Sequence, residues 1–200
     1  MTLDAWEQEY AKPDPVWKGP PLGASPFPAG LNILELGCGN GKNLPALLAT
    51  AAAVTAVDFS HKALQLCREH FTDEILSLLQ ADVCELPLAD GQFTAVSAIH
   101  ILEHLLAAER LKAAKEINRL LSPDGLLFVR VFATADMRYG KGSEIEENTF
   151  VRGNGINYHY FTKEELVQLF SSLKLINYEE LKVEKKYGCR CEHSALFSKA

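Results

Sequence analysis

Three glycines at alternate positions follow a short apolar run, in the segment 34–41 with the sequence Leu-Glu-Leu-Gly-Cys-Gly-Asn-Gly. Glycine lacks a Cβ atom, so this backbone can turn sharply and lie against a ligand that a larger side chain would push away. The apolar run is typical of a buried strand, and residues 41–50 are typical of a helix. A glycine-rich turn from strand to helix predicts an open α/β sheet with a binding crevice at the carboxyl ends of its strands.

Strand-like and helix-like segments continue to alternate as far as residue 132. The predicted strands are 31–36, 53–57, 75–81, 93–99 and 126–132, and the predicted helices between them are 41–50, 61–71 and 103–121. Alternation at this spacing predicts a parallel sheet whose connections are right-handed crossovers.

The last third of the chain breaks this alternation. Residues 133–160 predict an irregular insertion, and Thr162 followed by Glu165 predicts a capping box that starts another helix. The strand-like segments 175–185 and 189–198 leave no room for a helix between them, so we expect an antiparallel hairpin. The sequence therefore predicts a doubly wound α/β fold with a mostly parallel, seven-stranded sheet and a C-terminal antiparallel hairpin. Residues 1–30 form a separate N-terminal arm before this domain of residues 31–200.

Composition excludes several functional classes. The net charge is -6 and no Lys/Arg-rich cluster is visible along the sequence, which argues against nucleic acid as a partner. No apolar run approaches the roughly 18 residues of a membrane span, and the N-terminus lacks the apolar core of a signal peptide. The 5 cysteines are scattered, which favours reduced thiols and predicts a cytoplasmic protein. Nothing in the sequence predicts the oligomeric state.

The glycine spacing and one acidic residue distinguish two classes of ligand. Dinucleotide-binding turns have the spacing Gly-x-Gly-x-x-Gly, whereas this chain has Gly-x-Gly-x-Gly. Glu35 stands two residues before the first glycine, where its carboxylate would repel a pyrophosphate. S-adenosylmethionine (SAM) has no phosphate and carries an ammonium and a sulfonium, which a carboxylate favours. A charged hydrogen bond is worth roughly 1.5–3 kcal/mol, enough to favour SAM over a dinucleotide.

With these residues the chain resembles the class I SAM-dependent methyltransferases, whose fold is Rossmann-like. The resemblance covers residues 31–132 in order. It implies that the glycine loop contacts SAM through Glu35, Gly37, Cys38, Gly39 and Gly41.

The same resemblance assigns residues after the next three strands. Asp58 matches the residue that holds both ribose hydroxyls, and Phe59 should lie near the adenine. Asp82 would accept a hydrogen bond from the adenine amine, and the backbone of Val83 would donate to the ring. His100 lies in a segment that passes beside the reactive methyl in the family. Outside this context an aspartate at a strand end is more often a helix cap, and a strand-end histidine is as often structural.

The N-terminal arm and the insertion are expected to cover the site. Trp6, Tyr10 and Trp17 could place aromatic faces near the sulfonium, and Trp17 is the predicted cofactor contact among them. The insertion should select the acceptor, and either His100 or His159 could act as a general base. The Asn/Asp-Pro-Pro-aromatic pattern of enzymes that methylate amide or nucleobase nitrogens is absent. The resemblance is thus greatest to the small-molecule branch, which includes thiopurine-like and tellurite-resistance-like enzymes.

The sequence therefore predicts an enzyme that transfers a methyl group from SAM to a small molecule, with no nucleic acid and no membrane as partner. Three alternatives remain: a protein methyltransferase, a non-catalytic SAM-binding regulator, and a nicotinamide-dependent oxidoreductase. The Cys189-x-Cys191-x-His193 spacing lacks a second ligand cluster, so no metal site is predicted.

Overall fold

The computed structural model describes residues 3–12 and 21–200. The strands are β1 (Asn32–Leu36), β2 (Ala53–Asp58), β3 (Leu76–Gln80), β4 (Phe93–Ile99), β5 (Leu121–Phe132), β6 (Ser143–Glu146), β7 (Thr149–Val151), β8 (Asn157–His159), β9 (Lys174–Lys185) and β10 (Gly188–Ser198). The helices are α1 (Leu3–Tyr10), α2 (Leu44–Leu48), α3 (His61–His70), α4 (Ala107–Leu120) and α5 (Lys163–Leu169).

A seven-stranded sheet in the order β3-β2-β1-β4-β5-β10-β9 forms the centre of the protein. The first five strands in that order pair in parallel, and β10 pairs antiparallel with both β5 and β9. The predicted α/β fold with its C-terminal antiparallel hairpin is therefore confirmed. The chain order reverses between β1 and β4, and such a switch point opens a crevice at the carboxyl ends of the strands.

Both faces of the sheet are covered, because alternate residues of each strand point to opposite sides. On β1, Leu34 and Leu36 belong to a buried cluster that includes Ile117 of α4. Ile33, between them, belongs to a second buried cluster with Leu64 of α3. This arrangement makes the fold doubly wound and holds the glycine loop rigidly at the end of β1.

Two predicted helix starts have the expected caps. The Ser60 hydroxyl accepts a hydrogen bond from the Ala63 amide over 3.1 Å at the start of α3. The Thr162 hydroxyl accepts one from the Glu165 amide over 3.1 Å at the start of α5. In the described residues the Glu165 carboxylate completes no capping box, because it bonds His159 instead.

The predicted helix 103–121 is wrong at its N-terminal end. Residues Leu102–His104 form a separate 3-10 turn, and α4 starts only at Ala107. The Glu109 carboxylate accepts a hydrogen bond from the Leu106 amide over 2.8 Å, which fixes the new helix start. The chain therefore turns twice after β4, and this double turn keeps residues 100–104 at the sheet edge.

The insertion is ordered, although its sequence predicted an irregular segment. It contains a three-stranded antiparallel sheet in the order β6-β7-β8, packed around Phe132, Phe150 and Tyr160. Strands of three or four residues are too short to show a clear alternation of polar and apolar side chains. The small sheet is joined to the 3-10 turn by a hydrogen bond of 2.8 Å between the His104 Nδ1 and the Asn157 carbonyl. None of the described helices is long and apolar enough to cross a membrane.

Candidate cofactor and acceptor site

The glycine loop is fixed to the end of β2 by the carboxylate of Asp58. Its Oδ2 accepts a hydrogen bond from the Gly39 amide over 2.8 Å, and its Oδ1 accepts one from the Ser60 amide over 2.9 Å. The Cys38 amide donates to the Val57 carbonyl over 2.9 Å. Burial raises the pKa of Asp58 to about 6, so the carboxylate is ionised at neutral pH. The glycine loop and the carboxylate of Asp58, the predicted ribose ligand, are thus joined directly by a hydrogen bond.

Each glycine of the loop has a positive φ angle, but the three have different neighbours. A Cβ on Gly37 would lie 2.8 Å from Ile101 Cδ1, and a Cβ on Gly39 would lie 2.7 Å from the Tyr10 hydroxyl. Both of these glycines line a cavity. A Cβ on Gly41 would instead lie 2.4 Å from the Phe71 ring. Gly41 does not line either cavity described below, so its smallness serves helix packing.

Two adjoining cavities lie at the carboxyl ends of the strands. The smaller, about 40 Å³, is lined by Asp58, Phe59, Asp82 and Val83, which are the four residues predicted to hold the adenosine of SAM. The larger, about 680 Å³, is lined by the glycine loop and by residues from β5, β9 and β10. The side chains shared by both cavities are those of Trp6, Tyr10 and His100.

The N-terminal helix α1 covers this region with aromatic side chains. The Trp6 ring stacks on Tyr10 at a centroid distance of 5.8 Å and meets the edge of the His104 ring at 4.9 Å. Tyr10 is half-buried, and its burial together with the charge of Asp58 raises its pKa. Trp17, the predicted aromatic contact to the cofactor, lies outside the described residues.

Glu35 is buried behind the glycine loop and does not line either cavity. Glu35 is only 2% exposed. Its Oε2 accepts no hydrogen bond from the described residues. Burial raises its pKa to about 8, so at neutral pH the carboxyl is largely protonated. The Glu35 carboxyl therefore lies behind the loop as a largely neutral group, and its contact with the cationic groups of SAM stays a prediction.

The raised pKa of Glu35 predicts a specific dependence of stability on pH. The unfolded chain releases this proton near pH 4.5 and the folded chain only near pH 8, so ionisation between these values favours unfolding. Compared with Glu35→Gln, the free energy of unfolding of the wild type should fall with rising pH by up to about 1.4 kcal/mol per unit. Urea unfolding of both proteins between pH 5 and 8 measures this difference. Parallel pH profiles for the two proteins would contradict the assignment.

His100 directly follows β4, has an unusual backbone conformation and is held by a buried carboxylate. Its φ is 56°, in the left-handed region that costs energy for most side chains. Its Nδ1 lies 2.6 Å from Glu103 Oε1, and its Nε2 lies 3.6 Å from Glu192 Oε2. Burial alone would lower the pKa of His100, but the two carboxylates outweigh it and raise that pKa. The imidazole is thereby biased toward its protonated form.

Glu103 and Glu192 are functional candidates that sequence reasoning missed. Glu103 is the first residue of the predicted helix 103–121, yet it is fully buried beside His100. The His-x-x-Glu spacing was the available signal, since residues three apart meet in a helical turn. Glu192 had no local signal, because only the pairing of β5 with β10 brings it to the cavity.

His159 is placed away from both cavities, within the small sheet of the insertion. Its Nδ1 lies 2.8 Å from the Thr149 hydroxyl, and its Nε2 lies 2.8 Å from Glu165 Oε1. Both ring nitrogens are thus engaged in a structural network. The structure favours His100 over His159 as the histidine of the site.

The Cys-x-Cys-x-His segment of β10 forms no metal cluster. The Cys189 and Cys191 sulfurs lie 3.3 Å apart, but the His193 ring bonds the Tyr178 hydroxyl and the Phe161 carbonyl. Throughout residues 3–12 and 21–200, no group of three or more metal-ligating side chains is present.

Residues 34–129 match the family model described as a methyltransferase domain. This match and the sheet order place the chain among the class I SAM-dependent methyltransferases. The chain thus carries a SAM-dependent methyltransferase domain with SAM as its cofactor.

Curated relatives within this class act on tRNA. The chain is 31% identical over 166 residues to the zebrafish (Danio rerio) tRNA N(3)-cytidine methyltransferase METTL2, covering 76% of this chain and 47% of the relative. It is 30% identical to human METTL2B, covering 79% and 46%, and 28% identical to tRNA N(3)-methylcytidine methyltransferase trm140 of Schizosaccharomyces pombe, covering 70% and 50%. The chain therefore spans about half the length of these relatives.

Solved structures share the fold at lower sequence identity. A SAM-dependent methyltransferase from Methanosarcina mazei matches with a TM-score of 0.76 and 22% identity, covering 86% of this chain and 94% of that one. The N-methyltransferase NodS of Bradyrhizobium japonicum, solved in complex with S-adenosylhomocysteine, matches with a TM-score of 0.74 and 18% identity, covering 98% and 97%.

The prediction of a small-molecule acceptor without nucleic acid is wrong, because the curated relatives are tRNA methyltransferases. The error came from judging charge along the sequence. The fold brings five dispersed cationic side chains to the larger cavity, and they are Lys42, Arg130, Lys182, Lys185 and Arg190. Three acids, Glu179, Glu180 and Glu192, line the same cavity, so cationic side chains outnumber anionic ones there although the chain as a whole is net negative.

Proposed function

We propose that this chain transfers a methyl group from SAM to the N3 atom of a cytidine in RNA, with tRNA as the substrate class. The observation that carries the proposal is the similarity to tRNA N(3)-cytidine methyltransferases over 70% or more of the chain. The chain spans about half of each relative. The proposal therefore concerns the methyl transfer for which this chain has a site, and no other activity of the longer relatives.

The chemistry of cytidine N3 fits a site without the Asn/Asp-Pro-Pro-aromatic segment. The lone pair of an exocyclic amine is delocalised into the ring and must be localised before it attacks a methyl group. N3 already carries an in-plane lone pair and no proton. A general base is therefore unnecessary, which agrees with a His100 imidazole that Glu103 biases toward its protonated form.

The residues of the smaller cavity fit the nucleoside part of SAM. Asp58 has an ionised carboxylate at the end of β2, and a carboxylate can accept from two neighbouring hydroxyls. Asp82 follows β3 at the same cavity and can accept from an amine, while Phe59 offers an aromatic face. A space of about 40 Å³ is smaller than an adenosine, so binding requires side chains that line it, such as Trp6 or Tyr10, to shift.

When bound, SAM supplies a methyl group on a sulfonium, and the carbon–sulfur bond breaks as the bond to N3 forms. The electron pair of the broken bond stays on sulfur, and the positive charge passes to the cytidine ring. The protein's contribution is to align the two reactants and exclude water, which can supply roughly 7–11 kcal/mol of the barrier. The cationic side chains around the larger cavity suit the phosphates that flank the acceptor nucleotide.

The direct test is methyl transfer to tRNA. The purified chain, incubated with SAM and unmodified tRNA transcripts, should form 3-methylcytidine, detected by nuclease digestion and mass spectrometry. Transcripts in which the methylated cytidine is changed to uridine should lose the product, and a reaction without SAM is the background control. SAM binding without a methylated nucleoside in any tRNA would reject this acceptor class.

A further inference from the structure

Arg130 and Glu192 form a loosely paired donor and acceptor in the larger cavity. Arg130 lies near the carboxyl end of β5, and β10 runs antiparallel, so its Glu192 reaches the same edge of the sheet. The Arg130 Nε and Glu192 Oε2 are 3.9 Å apart. Both side chains line the cavity together with Gly37, Gly39 and His100.

The contacts of Glu192 are long compared with those of neighbouring acids. It lies 3.6 Å from the His100 Nε2 and 3.5 Å from an Arg190 nitrogen. Asp136, by contrast, is bonded by Arg138 at 2.7 Å and by the Cys191 amide at 2.9 Å. Hydrogen bonds to carboxylates are normally about 2.7–2.9 Å long when formed by cationic donors. The carboxylate of Glu192 therefore keeps accepting capacity for a ligand.

The surroundings also keep Glu192 charged. Burial opposes ionisation, but the nearby imidazole of His100 and the charges of Arg130 and Arg190 outweigh it, so the pKa of Glu192 is lowered. The other two acids of this cavity, Glu179 and Glu180, are exposed, and Glu180 pairs with Lys182 at 2.9 Å.

Arg130 has a matching unused donor. Its Nε is buried and makes no hydrogen bond within the described residues, although a buried donor without a partner costs about 1–3 kcal/mol. Glu192, the nearest anion paired with that atom, is beyond hydrogen-bonding distance. A ligand acceptor toward which the Arg130 side chain turned this Nε would recover this energy.

The hydrogen-bonding edge of cytosine has the complementary order. O2 accepts, N3 carries the lone pair, and the exocyclic amine donates. We propose that Arg130 and Glu192 read this edge, with the guanidinium donating to O2 and the carboxylate accepting from the amine. The assignment rests on the proposed function, because it names the part of the acceptor that the cavity recognises.

The same pair of side chains explains why uridine would be rejected as a substrate. It also explains how the cavity would tolerate the positive charge of the methylated cytosine. Uridine has a carbonyl in place of the amine, which the Glu192 carboxylate repels, and its N3 carries a proton. Methylation of cytosine leaves both amine protons in place and makes the ring cationic. That positive charge lies beside an anionic side chain already held in the cavity.

Steady-state methylation of tRNA separates this role from a structural one. Glu192→Gln and Arg130→Gln should each lower kcat/KM by roughly 10- to 100-fold, the range expected for a lost charged hydrogen bond. Glu184→Gln and Lys186→Gln, at exposed positions of the same hairpin that do not line the cavity, are the matched controls. SAM affinity and the unfolding temperature should be unchanged in all four. Activity within twofold of the wild type in both cavity variants would overturn the proposal and leave the tRNA activity standing.

Binding of free nucleotides tests the recognition without any reaction. Saturation-transfer NMR with the protein saturated with S-adenosylhomocysteine should give a stronger signal for cytidine 5′-monophosphate than for uridine 5′-monophosphate. Glu192→Gln should abolish that preference and Glu184→Gln should retain it. Equal or absent signals for the wild type would overturn the assignment. A preference in a protein that methylates no tRNA would support the recognition pair and reject only the RNA substrate.

Discussion

Replacing Asp58 by alanine should abolish SAM binding in the micromolar range, with an affinity loss of about 100-fold or more. The carboxylate is expected to accept from two ribose hydroxyls, and it already holds the Gly39 amide at 2.8 Å. Its loss therefore removes a ligand contact and frees the glycine loop at the same time. Isothermal titration calorimetry at pH 8 measures the effect where the carboxylate, whose pKa is about 6, is ionised.

Two further variants distinguish a lost contact from a damaged fold. Asp58→Asn keeps an oxygen that can accept from one backbone amide, so its stability should lie closer to the wild type while its SAM affinity stays low. Asp73→Ala removes an exposed aspartate after α3 and should bind SAM normally. If Asp58→Asn bound SAM as tightly as the wild type, Asp58 would be a structural cap of the loop and not a cofactor ligand.

Alanine at Gly41 should destabilise the fold by about 2–5 kcal/mol, the sum of a left-handed backbone penalty and overpacking. The φ angle at this position is 82°, and a new Cβ would lie 2.4 Å from the Phe71 ring and 3.1 Å from the Cys67 sulfur. Both neighbours lie at the end of α3, so the clash would displace the helix that follows β2. Urea unfolding measures the free-energy change.

Gly30 is a matched control for this substitution. Its φ angle is also 82°, but no atom of the described residues lies within 4 Å of a Cβ at this position. Gly30→Ala should therefore cost only the backbone component, about 1–2 kcal/mol. Equal losses at the two positions would show that α3 yields to the new methyl group and that packing does not explain Gly41.

Sequence reasoning found the parallel part of the fold because its signals are local. A glycine-rich turn, a capping serine at residue 60 and an aspartate at the end of β2 each lie within a few residues of the strand that positions them. The structure brings Gly39 and Asp58 into direct contact, as the common edge of adjacent parallel strands requires. These are also the residues on which the resemblance to a family was based.

The acceptor side could not be found in this way because it is assembled from distant segments. Arg130 and Glu192 meet only through the pairing of β5 with β10, and neither has a distinctive neighbour in the sequence. The same limitation affected the partner prediction, since Lys42 and Arg190 lie almost 150 residues apart but line one cavity. Net charge describes the whole chain, whereas recognition depends on the few square nanometres around the site.

The imidazole of His104 joins two segments that lie outside the parallel sheet. Trp6 of α1 meets one edge of the ring, and the Asn157 carbonyl of β8 holds its Nδ1. The N-terminal helix and the insertion thus contact the same imidazole from two sides. Replacing either segment with that of a relative would therefore call for replacing the other as well. A chimaera that received only the insertion of a relative would keep this contact, and the position of the ring against Trp6, only if the main chain of the new insertion followed the same path at residue 157. Engineering of acceptor choice in this enzyme should therefore transplant residues 3–12 and 133–160 as a set.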